Sequence, residues 1–151
     1  MTADVKEYQD LKFFKEFDDK TIQQLTSIGE IKGYQVKEVV VSENQELREF
    51  CVIIEGSVLI GITVPNKGRI TIGTIYPGHI FSWSALFPPH IATAQVTANV
   101  PTKVMAFDAI KLQAMIDKDP VFGYKLMRFI SSTLSRRLHD TRNQLVNVVT
   151  L

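Results

Sequence analysis

A mainly β fold with helices on either side of it follows from three features of the 151-residue sequence. Between residues 30 and 107, short apolar runs alternate with turn residues. About eight such runs, at ~8–12-residue spacing, describe a sandwich or a rolled barrel. Outside that region the apolar period changes to the helical one, between three and four. Lastly, the segment from Pro120 toward Val148 has no further proline and no glycine after Gly123. It reads as one helix of ~25 residues or more, long for a single domain. The expected fold is therefore mainly β with flanking helices, the roll of about eight strands being a sandwich or a rolled barrel. N-terminal helices (1–29), the β-roll (30–107) and C-terminal helices (108–151) make one domain.

Residues 5–28 read as helical, with Leu11, Phe14 and Phe17 at spacing three. Asp18 or Asp19 caps a second helix carrying Ile22, Leu25 and Ile28, and Gly29 stops it. Strands are expected at 31–34, 36–41, 50–54, 58–64, 69–76, 80–81, 93–98 and 104–107. Glu55-Gly56-Ser57 and Pro65-Asn66-Lys67-Gly68 are turns between them. Asp108 caps a helix over 109–116, and Asp119 caps the long one, with Pro120 at its first position.

The stretch after Pro77-Gly78 carries the chemical interest. Ile80-Phe81 is a short strand, and Ser82-Trp83-Ser84-Ala85-Leu86-Phe87 forms one helical turn, capped by Ser82 or Ser84. Pro88-Pro89 ends it. The first N–H groups of such a turn have no partner inside it, and the spot they point at suits an anion.

Composition excludes several function classes. With 17 basic and 16 acidic residues the formal net charge is +1, which gives no electrostatic case for nucleic acid. Lys125, Arg128, Arg136, Arg137 and Arg142 form a mild local excess, expected to be a solvated helix face. The one cysteine, Cys51, lies in an apolar run, so no disulfide framework exists and a core role is expected. The opening MTADVKEYQD has no signal-peptide pattern, and no apolar run approaches the ~20 residues a bilayer span needs. A cytoplasmic protein without membrane contact is expected. His79, His90 and His139 have no metal-ligand spacing, so no metal is expected. No set of nucleophile, base and orienter is recognisable, so no catalytic residue and no enzyme activity are expected.

The long helix carries two apolar stripes. Phe122, Leu126, Phe129, Ile130 and Thr133 cluster in its first half and are expected to pack on the β-roll. Tyr124, Met127, Ser131, Leu134, Leu138, Thr141, Leu145 and Val148 step by three and four, a heptad seam. A parallel homodimer is expected through this seam; the alternative is that the seam lies on its own barrel throughout.

Two helices, a rolled barrel, a hairpin turning at Gly56, Gly78-x-x-Phe81 before a helical turn and a long closing helix together resemble a cyclic-nucleotide-binding domain. The likeness is to the sensory half of the catabolite activator (Crp/Fnr) regulators and covers almost the whole chain; it implies a double-stranded β-helix (jelly-roll) barrel of about eight strands, with N-terminal helices and a long C-terminal helix. Leu134-Ser135-Arg136-Arg137-Leu138 is similar to that family as well. The resemblance implies a phosphate cassette of the form F-G-E-x-A-L, followed by an arginine at the start of the next strand. Its glycine and N–H groups hold the cyclic phosphate, its glutamate takes the ribose hydroxyl and its arginine neutralises the phosphate. Phe81, Ala85 and Leu86 match this pattern. Ser82 stands at the glycine position, Trp83 at the glutamate position, and Ile91 or Ala92 where the arginine falls. Thr141 matches the long-helix position that meets the purine, and Arg142 is its neighbour.

A charge-assisted hydrogen bond lost from a desolvated site costs about 1.5–3 kcal/mol, and ~1.4 kcal/mol is one decade of affinity. Tight binding of cyclic AMP or GMP in the usual pose is therefore not expected, and Trp83 fills volume where the ribose would sit. Ile80, Trp83, Leu86, Ile91 and Ala92 are expected to line a more apolar cavity, with Ser82, Ser84, Thr93 and Thr141 as its polar points. The alternative is that Trp83 collapses into it. The expected function is a non-enzymatic small-molecule sensor or regulatory domain. A dimerisation or partner-binding scaffold with a non-functional pocket is the alternative, and a divergent cyclic-nucleotide-binding regulator a further one. No cofactor is expected; some relatives bind haem through a histidine, but His79 or His90 alone does not point to it. The family's transcription regulators carry a winged helix-turn-helix after the long helix. This chain ends at Leu151, so no nucleic-acid contact is expected of it.

Overall fold

Alternation along the central region yields eight antiparallel strands, seen in a computed structural model that describes residues 5–150. They are β1 (Gly29–Tyr34), β2 (Val39–Val41), β3 (Glu49–Glu55), β4 (Val58–Val64), β5 (Gly68–Ile75), β6 (Ile80–Phe81), β7 (Gln95–Ala98) and β8 (Thr102–Asp108). Two four-stranded sheets result, in the orders β1-β8-β3-β6 and β2-β7-β4-β5. This is a jelly-roll-like sandwich, and the sheets do not close into a barrel as expected. β2 and β6, edge strands of three and two residues, are too short to pair on across the gap. Residues 1–4 and 151 of the expected domain lie outside the described residues.

The sheet β1-β8-β3-β6 divides two cores, and the period of two decides which core each side chain joins. Phe50 and Val52 of β3, with Met105 and Phe107 of β8, face a helical core. Cys51 and Ile53, with Val104 and Ala106, face the sandwich interior. β6 follows the same rule: Ile80 goes to the helical side and Phe81 to the interior.

The N-terminal segment is less regular than expected. It forms α1 (Val5–Tyr8), a 3-10 turn at Phe14–Glu16 and α2 (Asp19–Ile28), which Asp18 caps by accepting from the Thr21 N–H at 2.9 Å. The chain breaks because its backbone bonds elsewhere: the Phe13 N–H donates to the Gly78 carbonyl at 3.0 Å. Phe13 has its ring centroid 5.1–5.8 Å from those of Phe14, Phe17, Phe50 and Phe129. Gly29 is extended (φ −88°) and opens β1 instead of closing α2 in a left-handed cap. A Cβ there would lie 2.8 Å from Met105 Cγ, so the requirement is space. β2 begins at Val39, not at 36, because Lys37 adopts φ 70° in a preceding turn. β7 likewise begins at Gln95, two residues later than expected.

The C-terminal helices are α3 (Ala109–Lys118) and α4 (Pro120–Val149). Asp108 and Asp119 cap them as expected. In α4 the buried side chains are Phe122, Leu126, Phe129, Ile130 and Thr133, the first expected stripe. Past Thr133 no side chain of the helix is buried. Leu138 is 54%, Leu145 62% and Val148 69% exposed, so the seam does not lie on its own roll throughout. No helix among the described residues is long and apolar enough to cross a membrane.

Gly78 ties the N-terminal segment to the roll. Its φ is +84°, its N–H donates to the Ile53 carbonyl at 2.8 Å, and an added Cβ would lie 2.7 Å from the Lys12 backbone nitrogen. Gly78→Ala therefore combines left-handed strain of about 1–2 kcal/mol with a backbone clash. A stability loss of about 2 kcal/mol or more is expected in urea unfolding; a change below about 0.5 kcal/mol would show the tether to be unimportant.

Candidate ligand-binding site

The cassette turn is positioned by β6, whose Ile80 and Phe81 pair with Val52 and Cys51 of β3. Ser82 then adopts the left-handed conformation (φ 61°, ψ 32°), and a 3-10 turn follows at Trp83–Leu86. The Ser82 side chain makes no cap hydrogen bond, and Ser84 lies inside the turn, so neither caps it as expected. A serine thus keeps the conformation that glycine adopts without strain, at a cost of about 1–2 kcal/mol. Behind the turn, His90 Nδ1 donates to the Ala85 carbonyl at 2.9 Å, which fixes its tautomer.

Between this turn, the interior of the sheet β2-β7-β4-β5 and α4 lies a cavity of about 620 Å³. Val41, Leu47, Ile60, Ile75 and Val96 give it an apolar floor. Of the residues expected from sequence, Phe81, Ser82, Trp83, Ser84, Ala92, Thr93 and Thr141 line it. Ile80, Ala85, Leu86, Ile91 and Arg142 do not. Ile80 and Leu86 point to the helical core on the far side of the sheet, and Ala85 is buried beside Phe81. Ile91 sits in a bridge with Glu46. Arg142, one position round the helix from Thr141, is exposed. The Thr141 hydroxyl donates to the Arg137 carbonyl at 2.8 Å, so its proton is already committed.

Sequence reasoning missed the two arginines of this cavity. Arg136 and Arg137 both line it; Arg136 is exposed, as expected of a solvated helix face, but Arg137 is half-buried. The Arg137 guanidinium carbon lies 4.3 Å from the centroid of the Trp83 ring, and its Nη2 donates to the Ile80 carbonyl at 2.6 Å. Burial, and then Arg136, push the Arg137 pKa down to about 10, so it stays charged at neutral pH. No carboxylate of the described residues pairs with it. The signal was present: Arg137 precedes Thr141 by four, so a helix that turns Thr141 to the cavity turns Arg137 there too. Trp83, for its part, packs against the helical core on one side and under Arg137 on the other, and the cavity remains beside it.

The helix touches the roll at two further points. Arg136 Nη2 donates to His79 Nδ1 at 3.2 Å, and Gln144 Nε2 donates to the Ile72 carbonyl of β5 at 3.0 Å. His79 is therefore a neutral acceptor; burial first, then Arg136, Lys12 and Arg137, hold its pKa below the usual value. Cys51 is buried and its thiol pKa is pushed up to about 12, mainly by desolvation, so no thiolate forms at neutral pH. Among the described residues no group of three or more His, Cys, Asp and Glu is placed to hold a metal ion.

Because the folded protein resists protonating His79, the unfolded chain binds the extra proton below its ordinary pKa of about 6.5. Stability conferred by neutral His79 is thus present above about pH 6.5 and falls as pH drops through that value. Chemical denaturation of wild type and His79→Gln at about pH 7.5 and 5.5 tests the sign. The wild type is expected to lose stability relative to the variant at the lower pH; parallel losses would contradict the assignment.

The family model described as cyclic nucleotide-binding domain matches residues 31–119. No curated protein matches the sequence. Similar solved structures include a cyclic nucleotide-binding domain from Methylobacillus flagellatus KT, 19% identical with TM-score 0.81, covering 95% of this chain and 80% of that one. The N-terminal domain of a transcriptional regulator from Streptomyces coelicolor A3(2) is 22% identical with TM-score 0.70, covering 94% and 95%. The Thermus thermophilus catabolite activator protein is 17% identical with TM-score 0.74, covering 91% of this chain and 63% of that protein. These likenesses agree with the observed sandwich and its closing helix. With the family match spanning more than half of its length, the chain belongs to the cyclic nucleotide-binding domain family.

Proposed function

We propose that this domain is a non-enzymatic sensor whose cavity takes a small molecule with an apolar body and an anionic head, and that cyclic AMP and GMP do not bind tightly in the family's usual pose. One observation carries the reading. Arg137 brings a cation without a carboxylate partner to a cavity with an apolar floor, and it does so over an indole. A carboxylate head would accept its remaining N–H donors, a charge-assisted contact of about 1.5–3 kcal/mol. A ribose would instead bring hydroxyls against Trp83, where the family pattern has a glutamate to accept from them. The cavity volume of about 620 Å³ lies within the range for small-ligand pockets. The source of the cation differs from the family pattern, which places it on the β-roll; here it comes from the helix. Ligand contact would therefore act on α4 directly.

That helix also carries the proposed dimer seam. Leu134, Leu138, Leu145 and Val148 are exposed at heptad spacing, which favours a parallel homodimer. Met127 packs against its own core, so the seam would begin beyond it. Ligand contact at Arg137 and helix pairing at Leu138 would then be linked through neighbouring positions of one helix. A dimerisation scaffold with an idle cavity is the second reading. It is favoured by Arg137 already having Trp83 and the Ile80 carbonyl as partners.

Calorimetry with cyclic AMP and GMP, beside a thermal-shift series of aryl and alkyl carboxylates, separates these readings. At least one carboxylate is expected to raise the melting temperature, and Arg137→Ala to weaken its binding about 10–100-fold. A low-micromolar or tighter constant for either nucleotide would refute the sensor reading as stated. No stabilising compound, with the dimer retained, would favour the scaffold. Sedimentation is expected to give twice the 17.1 kDa chain mass, and Leu138→Glu to give the monomer. A wild-type monomer at micromolar concentration would exclude the dimer.

A further inference from the structure

A second cleft of about 340 Å³ lies where the N-terminal segment meets α4 and the loop before β6. Lys12 and Glu16 come from the first, His79 from the loop, and Arg128, Ser132, Thr133 and Arg136 from the helix. Arg128, Ser132 and Arg136 are spaced by four, so they share one face of α4. Lys12 joins them from the opposite wall because the Phe13 N–H is held by the Gly78 carbonyl at 3.0 Å. The chain as a whole has a formal charge of only +1, yet three permanent cations meet here with one carboxylate, Glu16. None of the three forms an ion pair with a carboxylate of the described residues. Their proximity reaches His79, whose pKa is lowered first by burial and then by Arg136 and Lys12.

Three like charges around one cleft repel, and an oxyanion between them turns that repulsion into attraction. The hydroxyls of Ser132 and Thr133 add donors of the kind that complete a phosphate's coordination. The floor is polar except for Phe129, unlike that of the larger cavity. We infer that this cleft is a second binding site, for a phosphate dianion or the phosphate of a phosphomonoester, held by Lys12, Arg128 and Arg136. Arg136 and His79 border both cavities, whereas Lys12 and Arg128 lie outside the larger one, so substitutions at Lys12 and Arg128 test this site apart from the ligand proposed there.

The test is an amide NMR titration of the full chain with sodium phosphate, and separately with glycerol phosphate, at ionic strength matched by sodium chloride. Saturable shifts are expected around residues 12, 79, 128, 132 and 136, with a constant of about 1 mM or tighter. The Lys12→Ala/Arg128→Ala pair changes exposed side chains, and the rest of the spectrum reports its fold. It is expected to weaken binding about tenfold or more. Glu16→Gln, which removes the opposing charge, is expected to tighten binding. A tighter constant for glycerol phosphate assigns the cleft to a phosphorylated metabolite, and an equal or weaker one to phosphate itself. Linear shifts that chloride reproduces, saturation at other residues, or unchanged binding by the double variant would overturn the site.

Discussion

Arg137 is held half out of water between an indole ring and a backbone carbonyl, and the rest of the site has to accommodate its charge. Withdrawing a guanidinium from water costs several kcal/mol. Stacking on Trp83 contributes about 0.5–2 kcal/mol, and the bond to the Ile80 carbonyl about 1.5–3 kcal/mol. Those two contacts work against that cost. No carboxylate of the described residues pairs with the guanidinium. The same contacts press the second half of α4 onto the cassette turn at a point where the helix buries no side chain. The lid is fastened by polar contacts at 136, 137 and 144, and by little apolar area.

What makes this arrangement reachable is the division of labour across one sheet. Alternate residues of β3, β6 and β8 serve two cores, so Ile80 anchors the helical side while Phe81 walls the cavity. The Ile80 carbonyl that accepts from Arg137 therefore belongs to a residue fixed by the helical core. Gly78, two residues before the cassette strand, joins β3 to the N-terminal segment through the hydrogen bonds of its N–H to Ile53 and of its carbonyl from Phe13. The position of the cation thus depends on packing well away from the cavity.

The strand pattern, both acidic caps of the C-terminal helices and the buried stripe of α4 were legible in the sequence, because each rests on a local period or a local hydrogen bond. The open edges of the sandwich were not, since closure depends on how far short strands pair in space. Ile80 and Phe81 show where site prediction fails. Both are apolar neighbours of the cassette, and only the direction of the pleat tells which one meets the cavity. Arg137 was hidden for a different reason. A charged residue on a helix reads as solvated unless its partner is known, and its partner, Trp83, lies 54 positions away. The i, i+4 relation to Thr141 was the one local clue.

Trp83 is the only tryptophan in the chain, so its emission reports directly on the stacked pair. The decisive measurement is a fluorescence titration with an aryl carboxylate, its neutral primary amide and cyclic AMP. If Arg137 takes a carboxylate head and Trp83 keeps a ribose out, the carboxylate saturates the signal at a concentration at least about tenfold below that of the amide, and cyclic AMP leaves it unchanged at low-micromolar levels. Equal response to amide and carboxylate, or saturation by low-micromolar cyclic AMP, would contradict the account.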